Sequence, residues 1–478
     1  VVASANDEMM EKFFAGETFT KEEKKFGLKQ ALRNNEIKPI LGSCAISGYG
    51  VGEVLSFICN FAPVHCEKGT IEVDGKTVET KDDAPFTGRV FKTVVDPFVG
   101  KISYLKIMSG SLSLSTPLYN ANKDVNEKAG ALYVMCGKKQ QTVDKAYCGD
   151  IVALTKLSQT ETCDTLCTKD FVVKYPPIEY PRPMLGMAIS PKTKDDEDKM
   201  SDALKKILIE DKSINLVRNA ETGEQVLYCV GDQQLDVVVN KLKNRYKVEI
   251  NLKEPKVQYR ETIRGKSEVQ GKYKKQNGGA GQFGDVWVRF EYNPDEEDLV
   301  FAEEVFGGAV PKNFFPSVEA GLRACMAKGP LAGCKVVNVK ATLYDGSYHP
   351  VDSKPNSFEA AAKLAFKNGI PKANPMILEP IGKVHVVTPE KYVGDLIGDF
   401  NKRRGMIMDT GHTDDGYTTI DADVPMAEML KYATELRSMT KGRGTYVIDF
   451  DRYEPAPNSV AEKVIAAAAK DLKDDDID

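Results

Sequence analysis

The spacing of apolar positions changes from block to block along this chain. In the first block Thr20-Lys21-Glu22-Glu23 forms a capping box, which predicts a helix running to about Asn35. Residues 38–46 read as a short apolar strand, and Gly48-Tyr49-Gly50 as a turn. Val51, Val54, Leu55 and Ile58 then share one face of a helix that stops before Pro63. One strand and its helix cannot bury both faces of a sheet, so residues 1–64 read as the end of an α/β domain.

Over residues 65–175 the period shortens. β-rich runs at 88–95, 101–107, 131–135 and 151–153 alternate with turns such as Ser109-Gly110 and Cys148-Gly149-Asp150, the spacing of a small β-barrel. A proline-rich stretch around 176–183 reads as a linker, and a second linker is expected at 255–263. Residues 182–256 then spell β-α-β-β-α-β, with helices at 195–211 and 233–246. The same order returns over 378–457, with helices at 392–403 and 426–440. Both blocks are expected to be ferredoxin-like. They flank an α+β block, 257–377, with helices at 313–328 and 357–368. Residues 458–478 form a tail ending in aspartates, expected to be solvated and frayed. The fold class is therefore multidomain α+β and β, as a length of 478 residues requires.

Composition narrows the setting. No apolar run is long enough to span a membrane, and no secretory leader pattern opens the chain. Ten cysteines without a regular frame, and no C-x-x-C, argue for reduced cytoplasmic thiols and against a zinc site or disulfide scaffold. The net charge is −5, but cations cluster: Arg264, Lys266, Lys272, Lys274 and Lys275 lie close together, and Lys402-Arg403-Arg404 is a second group. Local patches of this kind bind phosphate backbones even on an acidic protein.

The richest chemistry lies at 275–285. Gly279 to Gly284 is literally G-x-G-x-x-G, the dinucleotide fingerprint. That motif needs a helix after it. Here Val286, Val288 and Phe290 alternate with polar residues, which predicts a strand. The segment is thus a glycine-rich, basic-flanked loop between strands, with Tyr273 among its lysines. Bare backbone, positive charge and an aromatic ring suit contact with RNA.

His349 sits among turn formers with Asp345 and Asp352 nearby. As a general base it would need a nucleophile, and no Gly-x-Ser-x-Gly elbow or reactive-cysteine context supplies one, so a contact role is favoured. Asp395-Leu396-Ile397-Gly398 matches the D-x-x-G of GTPases, but it lies inside a helical pattern and reads as structure. Lys402-Arg403-Arg404 ends that helix, where cations also suit the dipole.

Taken in order, these blocks resemble translation elongation factor G along the whole chain. Gly42-Ser43-Cys44-Ala45 with Gly48-Tyr49-Gly50-Val51 is similar to the family's fifth G motif. Cys148-Gly149-Asp150-Ile151 and Asp164-Thr165-Leu166-Cys167 are similar to its barrel signatures. Residues 278–284 and Tyr348-His349-Pro350-Val351-Asp352-Ser353 resemble the two tip loops of its fourth domain, and Arg403-Arg404-Gly405 its fifth-domain R-R-G. The resemblance implies that Ser43, Cys44 and Ala45 are a remnant of a guanine site. It implies that Gly279, Gly281, Gln282, Tyr348, His349 and Asp352 form a tip entering the decoding site during translocation of tRNA and mRNA. Lys272, Lys274, Lys275, Lys402, Arg403 and Arg404 become candidates for rRNA contact on the two subunits. The implied partner is the ribosome, no membrane partner is expected, and the protein is expected to be a cytoplasmic monomer.

No G-x-x-x-x-G-K-[ST] and no N-K-x-D occur. A GTPase needs those groups, so no catalytic residue, metal or cofactor is expected in this chain, while GTP and Mg²⁺ are implied for a full-length parent. Ala280 replaces a commonly basic residue, and Pro350 and Lys354-Pro355-Asn356 replace a more acidic continuation. These departures keep two alternatives open: an elongation factor G-like paralogue for ribosome recycling or ribosomal protection, or an RNA-binding module without a GTPase cycle.

Overall fold

The computed structural model describes residues 2–137, 139–275 and 281–475, with side chains described to residue 469. The chain divides into two compact units, residues 1–180 with 204–212, and residues 181–203 with 213–478.

In the first unit, α1 (Lys21–Arg33) begins at the expected capping box. The Thr20 hydroxyl accepts the Glu23 amide at 3.2 Å, and the Glu23 carboxylate accepts the Thr20 amide at 2.8 Å. α2 (Val51–Phe61) also forms as expected. The strand expected at 38–46 does not. No described strand pairs with it, and Ile40 and Ile46 are 97% and 101% exposed. An extended segment without a neighbour has no ladder to join.

The remainder of this unit holds an antiparallel sheet. Its strands are β1 (Thr87–Asp96), β2 (Gly100–Ser109), β3 (Leu118–Asn120), β4 (Val125–Glu127), β5 (Leu132–Cys136), β6 (Lys139–Thr142), β7 (Ile151–Thr155) and β8 (Thr165–Cys167). Their order is β4-β3-β8-β1-β2-β7-β5-β6. Leu118 near one edge and Leu132 near the other share one buried cluster with Leu105, Val152 and Leu166. The sheet therefore wraps around a single core, as the alternating sequence predicts.

The next block is β9 (Leu185–Pro191), α3 (Glu197–Glu210), β10 (Asn215–Arg218), β11 (Gln225–Cys229), α4 (Asp232–Tyr246) and β12 (Ile250–Lys253), of which residues 204–212 are grouped with the first unit and the rest with the second. The strand order β10-β11-β9-β12 is the ferredoxin-like one.

The next block contains β13 (Arg260–Ile263), β14 (Ser267–Lys275), β15 (Gln282–Tyr292), β16 (Val300–Glu303), α5 (Phe315–Met326), β17 (Lys335–Val336), β18 (Val339–Ser347) and α6 (Pro355–Gly369). The linker expected at 255–263 is corrected here, because β13 is buried along its length. It pairs parallel with β17, and the Glu261 carboxylate accepts the amides of Leu331, Ala332 and Cys334 at 2.9, 2.9 and 3.1 Å. A four-stranded sheet, β14-β15-β18-β16, packs one face on α5 and α6 through Val286, Val288, Phe290, Leu322, Phe358 and Ala362.

The last block is β19 (Pro375–Pro389), α7 (Val393–Lys402), β20 (Met406–His412), β21 (Tyr417–Pro425), α8 (Tyr432–Thr440) and β22 (Thr445–Pro455). Its order β20-β21-β19-β22 repeats the first ferredoxin-like pattern. The start of β19 also pairs with β13, so one sheet crosses the expected domain boundary at 377. Asp395 to Gly398 lies inside α7, with Leu396 and Phe400 buried, as a structural helix requires. The tail is helical: α9 runs Asn458–Asp475.

Candidate nucleic-acid interface

β14 and β15 form an antiparallel hairpin, registered from Ser267↔Phe290 to Lys275↔Gln282. Residues 276–280 between the two strands lie outside the described residues, and a strand, not a helix, begins at Gln282, so the dinucleotide reading is excluded by structure as well as by pattern. Gly279 lies outside the described residues. Gly281 and Gly284 lie inside them, and both allow close approach. A Cβ on Gly281 would stand 2.8 Å from the Asp352 carboxylate, and one on Gly284 would collide with the Ser357 carbonyl.

The loop at 348–353 is fastened to the backbone of Phe283 in this hairpin. The Phe283 amide donates to the Asp352 carbonyl at 3.0 Å. The Ser353 hydroxyl donates to the Phe283 carbonyl at 3.0 Å and accepts the His349 amide at 2.8 Å. The Ser353 amide returns to the His349 carbonyl at 3.0 Å. The two segments therefore make one tip. Gln282, Tyr348 and His349 are exposed on it, and Asp352 is half-buried.

The His349 ring is oriented by its own loop. Its Nδ1 accepts the Asp352 amide at 3.2 Å and lies 3.3 Å from the Asp352 carboxylate. His349, Asp352 and Ser353 are the residue types of a hydrolytic triad, but the Ser353 oxygen is engaged by backbone on both sides and makes no bond to the ring. The arrangement presents contacts, not a nucleophile. Among the described residues no group of three or more acidic, histidine or cysteine side chains could hold a metal ion.

Lys272, Lys274 and Lys275 are exposed on β14 beside the tip. Tyr273 donates its hydroxyl to Gln282 at 3.2 Å. Sequence reasoning singled out these lysines but missed Phe283, which holds the second loop and lies 5.8 Å beneath the Lys272 ammonium. Its place in the alternation of β15 was the available signal.

The second basic cluster divides. Lys402 is exposed. Arg403 is tied to Asp399 at 2.7 Å and to Glu435, and its guanidinium lies 5.0 Å from the Tyr432 ring centroid. Arg404 makes a bidentate pair with buried Glu379, both bonds 2.8 Å. The two arginines hold the last domain together, the role that a helix C-terminus allowed for them.

Ser43, Cys44 and Ala45 are exposed in a loop of the first unit. The Cys44 amide donates to the Tyr49 carbonyl at 2.8 Å. Hydrogen bonds from the Ser47 side chain and from the Ser47 and Ile46 backbone lower the Cys44 thiol pKa.

Comparison with known proteins follows the same division. Models for elongation factor G domain 2, domain III, domain IV and C-terminus match residues 85–169, 180–254, 255–374 and 376–464. The chain belongs to the elongation factor G family. A crystal structure from Thermus thermophilus is similar over 98% of this chain and 68% of its own, at 33% identity and a TM-score of 0.77. Membership in the elongation factor G family carries a translation elongation factor-like, ribosome-binding role. Within it, the tip belongs to the domain IV match, and Arg403 and Arg404 to the C-terminal match. Among the described residues no helix is long and apolar enough to cross a membrane.

Proposed function

We propose that this chain supplies the ribosome-engaging domains of an elongation factor G-type translational GTPase, and that its tip contacts RNA at the decoding site during movement of tRNA and mRNA. The observation that carries this reading is the joining of the two tip loops through Phe283, Asp352 and Ser353. It holds Gln282, Tyr348 and His349 outward beside exposed Lys272, Lys274 and Lys275. Backbone clamping fixes those side chains before any partner arrives, which lowers the ordering cost of binding. GTP and Mg²⁺ are proposed as cofactors of the GTPase domain whose end the first 64 residues resemble. Contact with large-subunit rRNA by the last domain is assigned to Lys402, since Arg403 and Arg404 are held in ion pairs.

Co-sedimentation with ribosomes across a salt series tests this, beside the Gln282→Ala/His349→Ala variant. Salt-sensitive binding that weakens in the double variant is expected. Binding by the wild-type chain that is indifferent to the double substitution would remove the tip from the contact.

A further inference from the structure

The sheet that carries the tip has a second face. α5 and α6 cover one side; on the other, Phe283, Asp285, Trp287 and Arg289 follow one another along β15. Their cross-strand partners Lys274, Lys272, Gln270 and Glu268 on β14 share that face. The Trp287 and Tyr344 rings lie 6.4 Å apart, centroid to centroid, tilted by 55°. The Arg289 guanidinium lies 5.2 Å from the Tyr344 centroid, held by Glu268 at 3.0 Å and Glu304 at 3.1 Å. Phe283, Trp287 and Tyr344 are all partly exposed. A recess of about 380 Å³ opens beside the indole, bounded by Gln270, Asn368 and Lys372.

β15 and β18 are the two central strands of this four-stranded, helix-backed sheet. Aromatic rings on such a sheet are a surface on which unpaired bases stack. Phe283 and Trp287 are four residues apart on one strand, roughly 13 Å. The acid between them is not presented to phosphate: Asp285 is buried and takes hydrogen bonds from Gln270 at 2.8 Å and Ser347 at 2.7 Å. Arg289 has its charge offset by two glutamates, so it supports the Tyr344 ring. Lys272 and Lys274 are exposed cations beside the rings.

We propose that this sheet face binds single-stranded RNA, with bases stacking on Phe283, Trp287 and Tyr344 and phosphates held by Lys272 and Lys274. The site adjoins the exposed tip side chains and shares Lys272 and Lys274 with them, and its stacking rings add a second RNA surface to the same domain.

Trp287 is the single tryptophan of the chain, so its emission reports on this surface directly. The full chain is titrated with an unstructured uridine-rich RNA of about twelve nucleotides. A saturable quench is expected, weakening as salt rises from about 50 to 200 mM. Lys272→Gln/Lys274→Gln should weaken binding severalfold and flatten the salt dependence. Tyr344→Ala should weaken it about tenfold, and Tyr344→Phe should restore it. Emission indifferent to RNA overturns the proposal, and so does a quench of equal affinity in the lysine and Tyr344→Ala variants. The lysine pair is exposed, so a folding defect in Tyr344→Ala leaves the test standing. Ribosome binding by the Gln282→Ala/His349→Ala variant and RNA quenching by Tyr344→Ala touch no shared residue, so a failure of the tip reading and a failure of this one are distinguishable.

Discussion

At the scale of single residues, environment separates side chains of one chemical type. Cys44 is exposed, with its thiol pKa lowered by hydrogen bonds from Ser47. Burial raises Cys148 to about 12 and Cys334 to about 11. Thiolate is the reacting species. Iodoacetamide at about pH 8 should therefore label Cys44 well before Cys148 and Cys334, as peptide mass spectrometry would show. Gly284 makes a steric prediction. Its missing Cβ lets the hairpin sit against the Ser357 carbonyl. Gly284→Ala should cost about 1–3 kcal/mol by overpacking, measured as a fall in the unfolding midpoint.

At the scale of elements, the two basic clusters show that a run of cations has no fixed meaning. In β14 the alternation leaves Lys272 and Lys274 exposed. At the end of α7 the chain turns back over β19, and Arg404 meets a Glu379 carboxylate whose side chain is only 4% exposed. Removing one partner strands the other charge in the interior. Arg404→Ala should destabilise the last domain by about 3 kcal/mol, seen as faster hydrogen exchange in β19 and β21. Lys402→Ala, which exposes no buried partner, should leave that exchange unchanged. Both residues belong to the same tripeptide, and nothing local distinguishes them.

At the scale of the whole molecule, function depends on which surfaces meet RNA and which sites handle nucleotide. The sequence holds neither a phosphate-loop motif nor N-K-x-D, and the described residues offer no metal cluster. The pure chain is expected to show no GTP turnover above buffer in a phosphate-release assay; measurable turnover would overturn that expectation. Ribosome binding should fall steeply with salt, because exposed lysines act through displaced counterions. The exposed apolar face of α2, including Leu55 at 57% and Ile58 at 52%, belongs to the segment read as the end of an α/β domain.

Much of this was legible in the chain itself. The capping box at Thr20, the alternating strands of the wrapped sheet and the repeated β-α-β-β-α-β order all follow from periods of two or 3.6 residues, which are set by local geometry. The same geometry excluded the dinucleotide reading, since a strand period follows Gly284. Long-range pairing was not legible. Residues 38–46 have the composition of a strand but no partner, while residues 260–263, expected within a linker, found partners on both sides. The hydrogen bonds that join Phe283 to Asp352 and Ser353 span some seventy residues, and the Arg404–Glu379 pair links the segment after α7 to a neighbouring strand. The sequence by itself determined most of the helices and the alternating strands, because those depend on neighbours two to four residues away. Only the tertiary structure decided which cations remain free for RNA, which rings share a face and which loops form one tip, because burial and pairing depend on what the rest of the chain brings alongside.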